Sequence, residues 1–197
     1  MTAAAVVLAA GESSRLGQPK QLLAFRGGTL LDAALRTARA AGFHQVLVTL
    51  GGGADDVRAG VDLAGLEVVL NPDFSTGCAS SIRSALRNVR EDADGIVLLL
   101  GDQPGVTVEV IGELLAQAAS ASVGVCRYDD GLGHPLWFHR RMFETLENMH
   151  GDKAVWKLVE TGDDVVEVRV RGPVPLDVDT WDDYQALLGQ DGDEVRR

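Results

Sequence analysis

The first apolar run of the chain, Val6-Val7-Leu8 with Ala9-Ala10 behind it, contains no polar residue and stops at Gly11. That is the pattern of a buried strand running into a turn. Leu31, Ala34, Leu35 and Ala38 then recur at helical spacing, and Gly42 closes that helix. Gln45 to Thr49 predicts a second strand, ended by Gly51-Gly52-Gly53, and Glu67 to Leu70 a short third one. Ile82, Ala85, Leu86 and Val89 mark the next helix. In Gly95-Ile96-Val97-Leu98-Leu99-Leu100 the apolar residues are consecutive rather than alternating, as a central strand covered on both faces requires. Ile111, Leu114, Leu115 and Ala118 form another helical stripe, followed by a strand from Ser122 to Arg127. Strand and helix in repetition call for a parallel sheet with right-handed crossovers.

After Arg127 the rhythm changes. Tyr128 to Gly133 is rich in turn formers, Gly133 to Phe138 predicts a strand, and Ala154 to Glu160 a helix. Val165 to Val170 alternates apolar residues with Glu167 and Arg169, the mark of a strand near an edge with one wet face. Thr180 and Asp183 stand at capping-box-like spacing beside Trp181, Tyr184 and Leu188. The expected fold class is α/β: a single Rossmann-like domain over residues 1–190, with a mainly parallel central sheet flanked by helices. The polar residues 191–197 are expected to form a disordered tail.

Composition narrows the function. A chain of 197 residues with 46% hydrophobic and 24% charged residues fits one globular domain with a full core. Its net charge of -11 gives no general attraction for nucleic acid or an anionic membrane, so anionic substrates would need cations concentrated locally. Cys78 and Cys126 lie far apart in no Cys-x-x-Cys arrangement and are expected to be reduced, non-ligating thiols. No leader pattern precedes Val6 and no window approaches a membrane span, so a cytoplasmic location is expected.

The needed cations follow the first strand. Ala9, Ala10 and Gly11 let a ligand lie against the backbone, and the amides of Gly11, Glu12, Ser13 and Ser14 can turn into one concavity that favours an anion. Arg15 adds a planar fork and Lys20 a mobile point charge, suited to a triphosphate whose leaving pyrophosphate gains charge. Neither the Walker A loop nor the Gly-x-Gly-x-x-Gly fingerprint is present. From Leu8 to Lys20 the chain instead resembles, without a gap, the Leu-Ala-Ala-Gly-x-Ser-x-Arg-x-Gly-x-x-Lys signature of the MobA-like NTP transferases. Ala-Ala-Gly with Gln-Pro-Lys-Gln-Leu-Leu resembles the molybdenum cofactor cytidylyltransferase branch of that family; the guanylyltransferase branch usually has Ala-Gly-Gly.

Further motifs follow in family order. Asp102 ends the apolar strand at Gly101-Asp102-Gln103-Pro104, where open α/β sheets place ligands, and supplies a carboxylate suited to Mg²⁺ beside phosphates; a turn-forming role is the alternative. The loop from Asn71 resembles the family's Asn-Pro-x-aromatic-x-x-Gly-x-x-x-Ser, which implies nucleotide contacts for Asn71, Gly77 and Ser80; a serine N-cap is the competing explanation. The resemblance also places Gly51 under the base, where a flexible turn would otherwise suffice. On the acceptor side it points to Gln103, Pro104, His134, Asp152 and Lys153, although Ala154 stands where relatives have glycine and Asp152 could be only a helix cap. Asp177-Val178-Asp179-Thr180 resembles the family's C-terminal metal motif, and alternation points Asp177 and Asp179 the same way without choosing between them.

The resemblance implies transfer of CMP from CTP to the terminal phosphate of molybdopterin, with Arg15, Lys20 and Asp102 catalytic, Leu8 to Ser14 at the nucleotide, and Asp102 with Asp177 or Asp179 on Mg²⁺, or on Mn²⁺ in its place. A molybdoenzyme of the xanthine dehydrogenase type is the implied protein partner. Competing readings are a guanylyltransferase, a sugar- or alcohol-phosphate nucleotidyltransferase of the same fold, a metal-dependent glycosyltransferase, and a non-catalytic carrier of the finished cofactor.

Overall fold

The opening run forms strand β1 (Ala3–Ala9), whose side chains alternate between two apolar layers. The computed structural model describes residues 1–194. A single 3-10 turn at Lys20–Leu22 and a small hairpin, β2 (Ala24–Phe25) and β3 (Gly28–Thr29), lead into helix α1 (Leu30–Ala40). Thr29 and Asp32 form a reciprocal capping box at the start of α1. Next come β4 (Gln45–Leu50), α2 (Ala54–Gly60), β5 (Glu67–Leu70), α3 (Cys78–Leu86), β6 (Gly95–Leu100) and α4 (Val108–Ala118). The second half contributes β7 (Val123–Arg127), β8 (Leu132–His139), α5 (Phe143–Glu147), α6 (Ala154–Thr161), β9 (Val165–Arg169) and α7 (Trp181–Glu194).

Seven strands form one sheet in the order β5-β4-β1-β6-β8-β7-β9. The β4, β5 and β6 pairings around β1 are parallel, as is β7 with β9, and β8 runs antiparallel to both its neighbours. The expected mainly parallel α/β sheet is thus present, and the change of rhythm after Arg127 is the antiparallel insertion of β8. β9 is an edge strand, as its alternation predicts. The small hairpin and α2 were not legible in the periodicity: the hairpin strands have two residues each and α2 buries only Val57. The last helix continues past residue 190 to Glu194, and residues 195–197 of the expected tail lie outside the described residues. Among the described residues no helix is long and apolar enough to cross a membrane.

Helices cover both faces. Ala5 and Val7 pack with Leu31 and Leu35 of α1 and Leu114 of α4, while Ala4 and Val6 pack with Ile82 and Ala85 of α3. A satellite cluster joins Leu16, Leu23 and Phe25 to Leu30, Val178 and Leu187, fastening the loop after β1 to the chain end that carries Asp177 and Asp179.

The sheet order turns back at β1, which has β4 on one side and β6 on the other, and ligands of open α/β sheets bind at the carboxyl ends of such strands. Leu8 is in register with Leu100, so the Ala9-Ala10-Gly11 turn and Gly101-Asp102 emerge side by side. Gly51, at the end of β4, is wedged here: a Cβ would lie 2.6 Å from both the Ala10 carbonyl oxygen and Phe74 Cβ. Gly51→Ala is therefore expected to cost about 1–3 kcal/mol in urea unfolding, because backbone on one side and a ring on the other must give. Parent-like stability would contradict this packing.

Candidate active site

A cavity of about 420 Å³ opens at that switch point, within the roughly 300–1,000 Å³ usual for small-ligand clefts. One wall is Leu8 to Gly11, another is Gly101 and Asp102, and the chain end supplies Asp177 and Asp179. Gly77, Cys78, Ser81 and Phe74 close the far side with Asp152. Four separated sequence motifs thus meet in one place. Val178, between the two aspartates, is fully buried in the satellite cluster, so both carboxylates face the cavity as alternation requires.

At the centre is an ion-pair network. The Lys20 ammonium contacts an Asp102 carboxylate oxygen and donates to Asp179 Oδ1 at 2.7 Å, and Arg15 donates to Asp179 Oδ2 at 3.1 Å. Lys20 and Asp102 side chains are each 14% exposed, whereas Arg15 is 66% exposed at the mouth. Burial pulls the Lys20 pKa down, but the charges and hydrogen bonds of Asp102 and Asp179 outweigh it and hold the ammonium above the usual lysine range. Burial pushes the Asp102 carboxyl up, against the pull of Lys20. The hydrogen bond from Lys20, with the charges of Lys20 and Arg15, holds Asp179 below the usual carboxylate range.

The loop is shaped from within. Ser13 takes a left-handed φ of 55°, and its hydroxyl accepts the Lys20 amide at 2.9 Å, closing the turn that brings Lys20 back to the cavity. Gln21 is 2% exposed, and its Nε2 donates to the Ala9 and Gly11 carbonyls at 2.8 and 3.2 Å. Gln21 also lines the cavity; it stands in the Gln-Pro-Lys-Gln-Leu-Leu stretch, where sequence alone assigned it no site role. The chain end is stapled just as tightly. Gln103 Nε2 donates to the Pro175 carbonyl at 2.5 Å and the Val178 amide to the Asp102 carbonyl at 3.2 Å.

Asn71, Ser80, Pro104 and His134 stand behind the wall rather than in it. Asn71 is buried, and its Nδ2 donates to the hydroxyls of Ser80 and Ser81 at 2.8 and 2.9 Å while its Oδ1 accepts the Asp73 amide. It fixes the loop; Ser81, one residue beyond the Ser80 singled out in the sequence, reaches the cavity. Neither serine caps α3. Asp152 does so from a distant segment, its Oδ1 accepting the Cys78 amide at 2.8 Å. Burial pushes the Cys78 thiol up to about 11, so it presents an inert surface. Glu12 and Ser14 are exposed on the loop, and Lys153 is exposed beside Asp152 in an adjoining groove. Pro104 and His134 are buried outside the cavity, His134 edge-on to Trp156 with ring centroids 5.4 Å apart.

The MobA-like NTP transferase domain matches residues 5–166. The chain is 34% identical over 139 residues to nicotine blue oxidoreductase of Paenarthrobacter nicotinovorans, covering 66% of this chain and 68% of that one. It is 24% identical over 181 residues to the molybdenum cofactor cytidylyltransferase of Escherichia coli (strain K12), covering 91% and 92%. The solved complex of Rv0371C with manganese from Mycobacterium tuberculosis H37Rv is 50% identical with a TM-score of 0.88, over 96% of this chain and 99% of that one.

Burial holds the His134 imidazole down at about 4, against an ordinary 6.5. Below about 6.5 the unfolded chain binds a proton there that the folded chain refuses, so stability is lost as pH falls toward 4, on the order of 3 kcal/mol at most. His134→Gln is expected to flatten the dependence of Tm on pH across that window. Parallel profiles for parent and variant would contradict a neutral, desolvated imidazole.

Proposed function

We propose that this chain, which belongs to the MobA-like NTP transferase family, transfers CMP from CTP to the terminal phosphate of molybdopterin and releases pyrophosphate. Membership makes it a nucleotidyltransferase, and the observation that carries the reaction is the Arg15, Lys20, Asp102 and Asp179 network at the switch point. Cytosine and the pterin are supported by the resemblance of Ala9-Ala10-Gly11 and Gln18 to Leu23 to the cytidylyltransferase branch and by the likeness to the Escherichia coli cytidylyltransferase.

The acceptor phosphate is ionised near neutral pH, so alignment and charge screening are the main demands, with no covalent enzyme intermediate. An acceptor oxygen forms a bond to the α-phosphorus in line as the bond to pyrophosphate breaks. Gly11 to Ser14 offer amides to the phosphates, and Arg15 and Lys20 hold the departing charge. The hard carboxylate oxygens of Asp102 and Asp179 already surround a cation, the Lys20 ammonium, and so suit Mg²⁺ or Mn²⁺. Such an ion, when bound, supplies charge neutralisation at the reacting phosphates. Of the two C-terminal aspartates, Asp179 is assigned to it because it shares Lys20 with Asp102; Asp177 adds charge to the same wall.

On the acceptor side, Lys153 meets acceptor charge and Asp152 lines the cavity, while Gln103, Pro104 and His134 support the wall from behind. Gly51, Asn71, Gly77 and Ser80 hold the base-side loop. The reading places the protein in the cytoplasm, handing its product to a molybdoenzyme. A second reading, an oxidoreductase activity, is favoured by the likeness to nicotine blue oxidoreductase, and it yields no pyrophosphate.

Asp102→Asn keeps the shape and removes the charge. Pyrophosphate release from CTP and molybdopterin is expected to fall at least about 100-fold with an unchanged circular dichroism spectrum. Parent-like turnover would overturn the mechanism.

A further inference from the structure

Lys20 stands in an unexpected place for a cation that serves phosphates. Its ammonium lies on Asp102 and Asp179, with 14% of the side chain exposed, and the Ser13 hydroxyl on its own amide fixes the turn that delivers it there. Hard carboxylate oxygens gathered on one positive charge form the inner half of a divalent-cation site. The other half is missing from the protein: among the described residues no group of three or more His, Cys, Asp or Glu could hold a metal ion. Mg²⁺-like ions complete such a shell with phosphate oxygens and water.

We infer that Lys20 is a built-in counter-cation: in the nucleotide-free chain its ammonium occupies the divalent-cation position between Asp102 and Asp179, excluding metal until a triphosphate draws Lys20 away. The inference rests on the nucleotidyltransferase reading and adds a binding order to it. Four aspartates, Asp102, Asp152, Asp177 and Asp179, line the cavity, and Lys20 and Arg15 offset two of their charges. A divalent ion arriving alone would have to expel a buried ammonium and leave it without a partner, which is costly. A triphosphate removes that cost, because it offers Lys20 and Arg15 new anionic partners and gives the ion its missing ligands. Metal and nucleotide therefore favour one another's binding, and reciprocally so. Arg15 reaches Asp179 from the mouth and, at 66% exposure, releases it readily.

The test uses Mn²⁺ alone, with no nucleotide and no turnover. Free Mn²⁺ is followed by electron paramagnetic resonance during titration of the parent and of Lys20→Met, which keeps the stem and removes the charge. Lys20→Met is expected to bind Mn²⁺ about ten-fold more tightly than the parent, and the added substitution Asp102→Asn to abolish the gain. Equal or weaker binding by Lys20→Met would overturn the inference. If Lys20→Met does not fold without metal, Lys20→Gln serves: Mn²⁺ should raise its Tm by more than it raises the parent's, and equal shifts would overturn the inference. Loss of the proposed reaction would show instead as absent pyrophosphate release from the parent, which leaves the Mn²⁺ comparison readable.

Discussion

One ammonium group holds this site together. Asp102 ends a buried central strand and Asp179 comes from the far end of the chain, so without a shared cation the two carboxylates would repel one another across the cleft, most strongly at Asp102, which with Lys20 is the largely buried pair. Breaking such a pair by removing one partner leaves an uncompensated buried charge, a cost of about 3–5 kcal/mol. The local scaffolding serves that contact: Ser13 closes the turn on Lys20, Gln21 fixes the carbonyls of Ala9 and Gly11, and Gln103 ties the Asp177–Asp179 segment through Pro175.

The sheet explains why the contact occurs where it does. Reversal of strand order at β1 leaves a crevice above β1 and β6, and their register puts the loop after Ala9 beside Asp102. Small residues keep the crevice open, and Gly51 lets β4, the Ala10 carbonyl and Phe74 crowd together behind it. The satellite cluster around Val178 then brings the chain end over the loop, although sequence separates Asp179 from Lys20 by 159 positions.

Long apolar strands and striped helices were legible because their periodicity reports burial directly, as in the run before Gly101 and the stripe of α1. The antiparallel sense of β8 was not, since its direction depends on strand pairing rather than on its own residues. At the site, the cationic loop and the acidic strand ends could be read from chemistry, and the structure brings Lys20, Asp102, Asp177 and Asp179 together. The supporting contacts of residues that act through others were less legible. Asn71 proves to be a buried fastener for Ser80 and Ser81, Asp152 caps a helix distant in sequence, and Gln21 supports the loop from beneath. Their roles depend on long-range neighbours that no local pattern records.

As proposed above, this cation–carboxylate site moves a nucleoside monophosphate onto a phosphorylated pterin. The most direct measurement is pyrophosphate release in the presence of Mg²⁺ with CTP, GTP, ATP or UTP, each with and without molybdopterin. Release that requires both CTP and the pterin is the predicted result. Release with GTP in place of CTP would contradict the base assignment, and silence in every pterin mixture with folded protein and active acceptor would contradict the transfer itself.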